Sequence, residues 1–114
     1  MSRERLPTKL EVAGLLRQVE ARGGFATVVR RGDPERGSLL LIVAERGSHV
    51  ACLERVLSMT GSYGWQRVGP KESPESQEVS DFLARRARFD PDYWAVELDI
   101  VGAERFIAET TGLG

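Results

Sequence analysis

The run Ser38 to Ala44, SLLLIVA, is the most apolar stretch of the chain and constrains the fold more than any other. It is far shorter than the roughly 18 apolar residues a membrane helix needs. Turn signals bound it at Gly37 and at Arg46-Gly47. A short uninterrupted apolar run between turns reads as a strand buried on both faces, so its chain neighbours must cover it. Gly24 to Leu57 accordingly reads as three strands joined by two tight turns: Phe25 to Arg31, Ser38 to Glu45, and His49 to Leu57. Pro34 and the flanking glycines mark the first turn, and Arg46-Gly47-Ser48 marks the second. The Arg31-Gly32-Asp33 tripeptide is turn chemistry in this setting.

Ahead of these strands, Thr8-Lys9-Leu10-Glu11 matches a capping box. Leu10, Val12, Ala13, Leu15, Leu16 and Val19 follow at helical spacing, and Gly23-Gly24 supplies a stop. Gly14 weakens that helix unless something packs closely there, and the sheet is the expected neighbour. Beyond the three strands, Met59 to Gly64 is a turn and Trp65 to Val68 a short fourth strand. Ser73, Pro74 and Glu75 open a second helix whose buried stripe is Val79, Phe82, Leu83 and Ala87. Asp90-Pro91-Asp92 ends it, because the residue before proline is pushed out of helical space.

Tyr93 to Ile100 alternates, with Trp94, Val96, Leu98 and Ile100 facing the core and Tyr93, Ala95, Glu97 and Asp99 facing out. Gly102 turns the chain, and Arg105 to Glu109 is expected to return as a sixth strand, a short helical turn being the alternative. The resulting order is α-β-β-β-β-α-β-β. It describes an α+β domain: a single-layer, mainly antiparallel sheet of five or six strands, packed by two helices over one face. The 114 residues make one domain, 1–114, with 1–7 and 110–114 as loose ends.

From Arg85 to Glu97 the chain reads Arg-Arg-x-Arg-Phe-Asp-Pro-Asp-x-Trp-x-Val-Glu. In this it resembles a family of short bacterial proteins known only as a domain of unknown function. Leu15-Leu16-Arg17, Gly24-Phe25-Ala26 and Arg30-Arg31-Gly32 are similar to that family's first half, and Gly102 with Arg105-Phe106 to its last part. The resemblance implies a cytosolic bacterial protein and carries no established activity, cofactor or catalytic residue.

No constellation of residues spells out a catalytic site. His49 and Cys52 are the single histidine and the single cysteine, and on a regular strand residues three apart point to opposite faces. Together they are too few for a transition-metal site, and Glu97 with Asp99 on one strand face read as solubilising acids rather than a magnesium site. GDPERGS lacks a phosphate-binding loop's lysine and precedes a strand, not a helix. No cofactor is expected.

The chain carries fourteen arginines against Lys9 and Lys71, a bias that the codon usage of a GC-rich genome explains. Arg30 and Arg31 close the first strand, and Arg85, Arg86 and Arg88 close the second helix. If these ends meet they form an anion-binding edge, with Trp65, Tyr63 or Tyr93 available for stacking. Asp33, Glu35, Asp90 and Asp92 flank both clusters, and the net charge is -1, so local ion pairing is the stronger expectation. Asp90, Pro91, Asp92 and Trp94 read as a structural corner.

The expected function is a non-catalytic accessory or protein-interaction module in the cytoplasm, meeting a protein partner or a second copy (a homodimer) through a sheet edge. Binding of an anionic ligand or RNA is the alternative, and a hydrolase or transferase using Asp90, Asp92 or Glu97 ranks lowest. No apolar leader opens the chain, so neither secretion nor membrane anchoring is expected.

Overall fold

The computed structural model describes residues 6–57, 59–61, 63–70 and 76–111. In chain order its elements are α1 (Thr8–Ala21), β1 (Phe25–Arg30), β2 (Leu39–Glu45), β3 (Ser48–Leu57), β4 (Tyr63–Val68), α2 (Ser76–Phe89), β5 (Trp94–Asp99) and α3 (Ala103–Thr111). The expected opening of the second helix at Ser73, Pro74 and Glu75 lies outside the described residues. The α+β class holds, but the sheet differs from the expected one.

The strand order is β1-β5-β2-β3-β4, which puts the most apolar strand at the centre of five. From Leu39 to Ala44 every residue of β2 is buried, on both faces. Each large side chain fully withdrawn from water in this way is worth roughly 1.5–3 kcal/mol. A strand so apolar needs a neighbour on each side. β3 supplies one by the tight turn at Arg46 (φ 52) and Gly47 (φ 82).

The second neighbour is not β1 but β5. It inserts between β1 and β2, running parallel to β2 and antiparallel to β1. The sheet is therefore mixed, not merely antiparallel, because β5 is itself an apolar strand that gains from a central place. Tyr93, Trp94, Ala95, Val96 and Leu98 are all buried. The expected exposure of Tyr93 and Ala95 on an outer face is thus corrected.

That outer face is covered because the helices lie on both sides of the sheet, not one. α1 and α3 share a core with Leu41, Val43, Leu53, Trp94 and Val96. α2 packs Val79, Phe82, Leu83 and Ala87 over Leu40, Ile42, Cys52, Tyr93 and Ala95 on the other face. The expected sixth strand is corrected as well: Arg105 to Glu109 lie in α3, which buries Ala103 and Ile107 at helical spacing. Thr110 and Thr111, assigned from sequence to a loose tail, form the last turn of α3, where the Thr111 hydroxyl donates to the Ile107 carbonyl at 2.8 Å.

Two local expectations about α1 fail for one reason, the reach of distant loops. Pro7 stands at the N-cap, and neither Thr8 nor Glu11 forms a capping box. The first-turn amides are taken up by the 32–38 loop instead: Thr8 N–H donates to the Glu35 carbonyl at 3.2 Å and Lys9 N–H to that of Pro34 at 2.9 Å. Gly14 does not meet the sheet, since the nearest atom to a Cβ placed there is the Arg17 guanidinium at 4.0 Å. The helix stop falls where expected, with Gly23 at φ 83.

Candidate functional site

Three places collect the residues that could act on something else: the corner joining α2 to β5, the arginines around it, and the free margin of the sheet.

At the corner, Asp90-Pro91-Asp92 meets the 32–38 loop. The Asp33 amide donates to the Asp92 carbonyl at 2.9 Å, and the Trp94 indole donates to the Asp33 carbonyl at 2.7 Å. The Ser38 hydroxyl donates to the Asp90 carboxylate. The Asp33 carboxylate accepts from the amides of Arg36 and Glu35, which hold its pKa below the ordinary value. The segments approach so closely that a Cβ on Gly37 would lie 2.7 Å from the Trp94 ring and 2.8 Å from the Asp33 carbonyl oxygen. Asp90, Pro91, Asp92 and Trp94 are thus engaged in joining three segments, the Asp90 carboxylate and the Asp92 carbonyl both meeting the 32–38 loop.

The arginines divide. Arg30 and Arg86 converge on the Tyr93 ring, their guanidinium carbons 4.8 Å and 5.8 Å from its centre. Arg30 also donates to the Pro91 carbonyl at 2.6 Å, and Arg86 is ion-paired with Glu54. The Arg30 Nε is buried without a partner among the described residues. Burial pushes the Tyr93 phenol upward in pKa, partly offset by these two cations, and its hydroxyl donates to the Leu83 carbonyl at 3.0 Å. Arg31 lies on the Trp94 side instead, 5.8 Å from that ring. Arg85 and Arg88 are exposed on α2, Arg85 beside a 270 Å³ depression that also holds Glu78 and Asp81. Five arginines that are grouped in sequence therefore form one pair in space.

His49 and Cys52 come nearer than regular strand geometry allows. A register shift between Val43 and Ala44 sets Val50 and Ala51 against the same core, which resets the alternation and brings His49 to the face of Cys52. No hydrogen bond joins them among the described residues. The His49 Nε2 lies 3.4 Å from the Pro70 carbonyl oxygen, and its Nδ1 is buried without a partner among the described residues. Cys52 is fully buried, and that burial raises its thiol pKa to about 11, far from the thiolate a nucleophile needs. Asp99, paired from sequence with Glu97, takes the amides of Arg46 and Gly47 at 2.8 Å each and so braces the β2–β3 turn. No group of three or more metal-ligating side chains occurs among the described residues. No described helix is long and apolar enough to cross a membrane.

Sequence reasoning missed one arrangement entirely. Arg55 on β3 makes a two-pronged ion pair with Glu11 on α1, one arm at 2.7 Å, and its guanidinium carbon lies 5.5 Å from both the Tyr63 and Trp65 rings. Nothing in the spacing of residues 44 apart signals it.

At the margins of the sheet, β1 and β4 each pair on one side only among the described residues. β1 leaves Phe25 75% and Val29 50% exposed, with a bulge at Val29 between the paired residues Val28 and Arg30.

No curated protein matches the chain. Solved structures do. A DUF1491 family protein from Caulobacter crescentus CB15, determined by crystallography, is 31% identical with a TM-score of 0.75, covering 84% of this chain and 89% of that one. The NMR structure of a DUF1491 family protein from the same organism gives 32% identity and a TM-score of 0.72 over 86% and 88%. Protein Atu0922 from A. tumefaciens is 27% identical with a TM-score of 0.70 over 88% and 92%. The model of the proteins of unknown function called DUF1491 matches residues 6–108, and the chain belongs to that family.

Proposed function

We propose that the chain is a non-catalytic interaction module that associates with a second copy of itself through the free edge of β1. The observation that carries this reading is the unpaired margin of β1 with two large apolar side chains exposed beside it, Phe25 and Val29. An edge strand presents unused backbone donors and acceptors, and apolar side chains along it favour pairing. A two-fold axis would run the strands antiparallel and bring the Phe25 end of one copy to the Arg30 end of the other. The opposite margin is less suited. β4 carries the exposed Arg67, paired with Glu104 at 2.7 Å, and a charge on an edge strand opposes pairing.

Size-exclusion chromatography with light scattering over a range of concentrations tests this. A dimer is expected that Val29→Lys converts to monomer while the melting temperature is kept. A monomer at every concentration, or a dimer indifferent to both Val29→Lys and Phe25→Lys, overturns it.

The second reading is capture of an anionic ligand or RNA, favoured by the convergence of Arg30 and Arg86 on Tyr93. Existing partners of both guanidinium groups, the Pro91 carbonyl and Glu54, compete with such a ligand. Retention on heparin or RNA at low salt, lost on changing Arg85, Arg86 and Arg88 to alanine, would favour it over the first.

A further inference from the structure

A groove of about 610 Å³ lies between the end of α1 and α3, on the face of the sheet away from α2. Its size is that of sites for small organic ligands, which are usually apolar with a few polar groups. Leu15, Val19, Ile100 and Phe106 make the apolar part, and Arg22 and Arg105 line it as cations. The floor is built tightly: a Cβ on Gly24 would stand 2.8 Å from the Ile100 side chain and 3.0 Å from that of Val19.

The charge in the groove is available. Arg22, at the C-cap of α1, has no side-chain hydrogen bond or ion pair among the described residues. Arg105 meets only Glu109 at 3.3 Å, one turn along α3, with both side chains mostly exposed at 85% and 63%. Such a solvated pair holds little energy and yields readily to a better partner. Among the described residues Glu109 is the one acid lining the groove, against two arginines. Part of the backbone nearby is engaged: the Val19 and Glu20 carbonyls near the end of α1 accept from the amides of Arg22, Gly23 and Gly24, and the first amide of α3, on Ala103, donates to the Glu45 carboxylate at 3.0 Å.

We propose that this groove binds a small organic carboxylate with an apolar body, such as a medium-chain fatty acid. The apolar body lies on Leu15, Val19, Ile100 and Phe106, and the carboxylate is held by Arg22 and Arg105, guanidinium being suited to two-pronged contact with it. The groove adjoins the start of β1, since Gly24 lines it and Phe25 follows, but its cations and apolar side chains belong to α1, α3 and Ile100 rather than to the β1 edge.

Titration of the isotopically labelled chain with decanoate, followed by NMR, tests it. Saturable shifts are expected at the amides of Gly23, Gly24 and Gly102. Decyltrimethylammonium and decanol should bind at least about tenfold more weakly. The double substitution Arg22→Glu with Arg105→Glu, both at exposed positions, should weaken decanoate binding by a similar factor. With protein concentration held fixed, so that pairing along β1 adds nothing to the shifts, the proposal is overturned if all three amphiphiles bind alike or if decanoate leaves those glycines unmoved. The comparison of three ligands on the unaltered chain decides the matter even if the double variant fails to fold.

Discussion

Replacing Thr8 by valine tests how α1 is fastened to the rest of the molecule. Thr8 is fully buried, and its hydroxyl donates to the Gly37 carbonyl at 2.7 Å across 29 residues of chain. Valine keeps the shape and removes that donor, withdrawing its bond from a buried carbonyl. Loss of one partner from such a pair costs about 1–3 kcal/mol. For 114 residues, an unfolding entropy near 2.1 cal/mol/K per residue makes each kcal/mol worth about 4 °C, so the melting temperature should fall by about 4–12 °C. Thr8→Ser retains the hydroxyl and drops only a methyl group, at about 1 kcal/mol. Differential scanning calorimetry on the three proteins measures the shift. Hydrogen exchange should show faster exchange of the Thr8 and Lys9 amides in the valine variant, since these donate to Glu35 and Pro34 of the same loop. A valine variant that melts within a degree of the parent, or a serine variant more damaged than the valine one, would refute the reasoning.

Two further outcomes follow from the geometry. Glu11→Ala leaves the Arg55 guanidinium, whose side chain is only 11% exposed, without its carboxylate and should cost about 3 kcal/mol. Adding Arg55→Met should recover at least half of that in chemical denaturation, and a double variant no more stable than Glu11→Ala would show that the charge is not what matters. For His49, burial is the largest influence and lowers the imidazole pKa below its ordinary 6.5, against smaller opposing effects from the Pro70 carbonyl and Glu97. The unfolded chain then binds the proton more readily than the folded one, so this contribution is intact above about pH 6.5 and is lost as pH falls through the folded-state pKa. Melting temperatures between pH 7.5 and 5.5 should decline on acidification, and less steeply in His49→Gln; an identical slope in both proteins would remove His49 from the account.

What could be read from the chain and what could not divide along the range of the forces involved. Burial of Leu39–Ala44 as a strand, the turn at Arg46-Gly47 and the helix stop at Gly23 are local: a few consecutive residues carry the whole signal. α3 was misread because Arg105-Phe106-Ile107 suits a strand as well as a helix, and the choice rests on Ala103 and Ile107 reaching the core four residues apart. Thr8-x-x-Glu11 was misread because both residues find better partners far along the chain, Gly37 and Arg55. Sequence places the arginine clusters at element ends, which form one edge only if those ends meet, and neighbouring residues of an extended segment face opposite ways. Arg30 therefore meets Tyr93 while Arg31 meets Trp94.

By itself the sequence determined which segments are apolar enough to be strands and helices, since hydrophobic period is written in neighbouring residues. Tertiary structure alone decided that β5 enters between β1 and β2, that helices cover both faces, and that a groove opens between α1 and α3. Those outcomes depend on which apolar surfaces cover one another most completely, a competition among distant segments that is settled only when the whole chain packs.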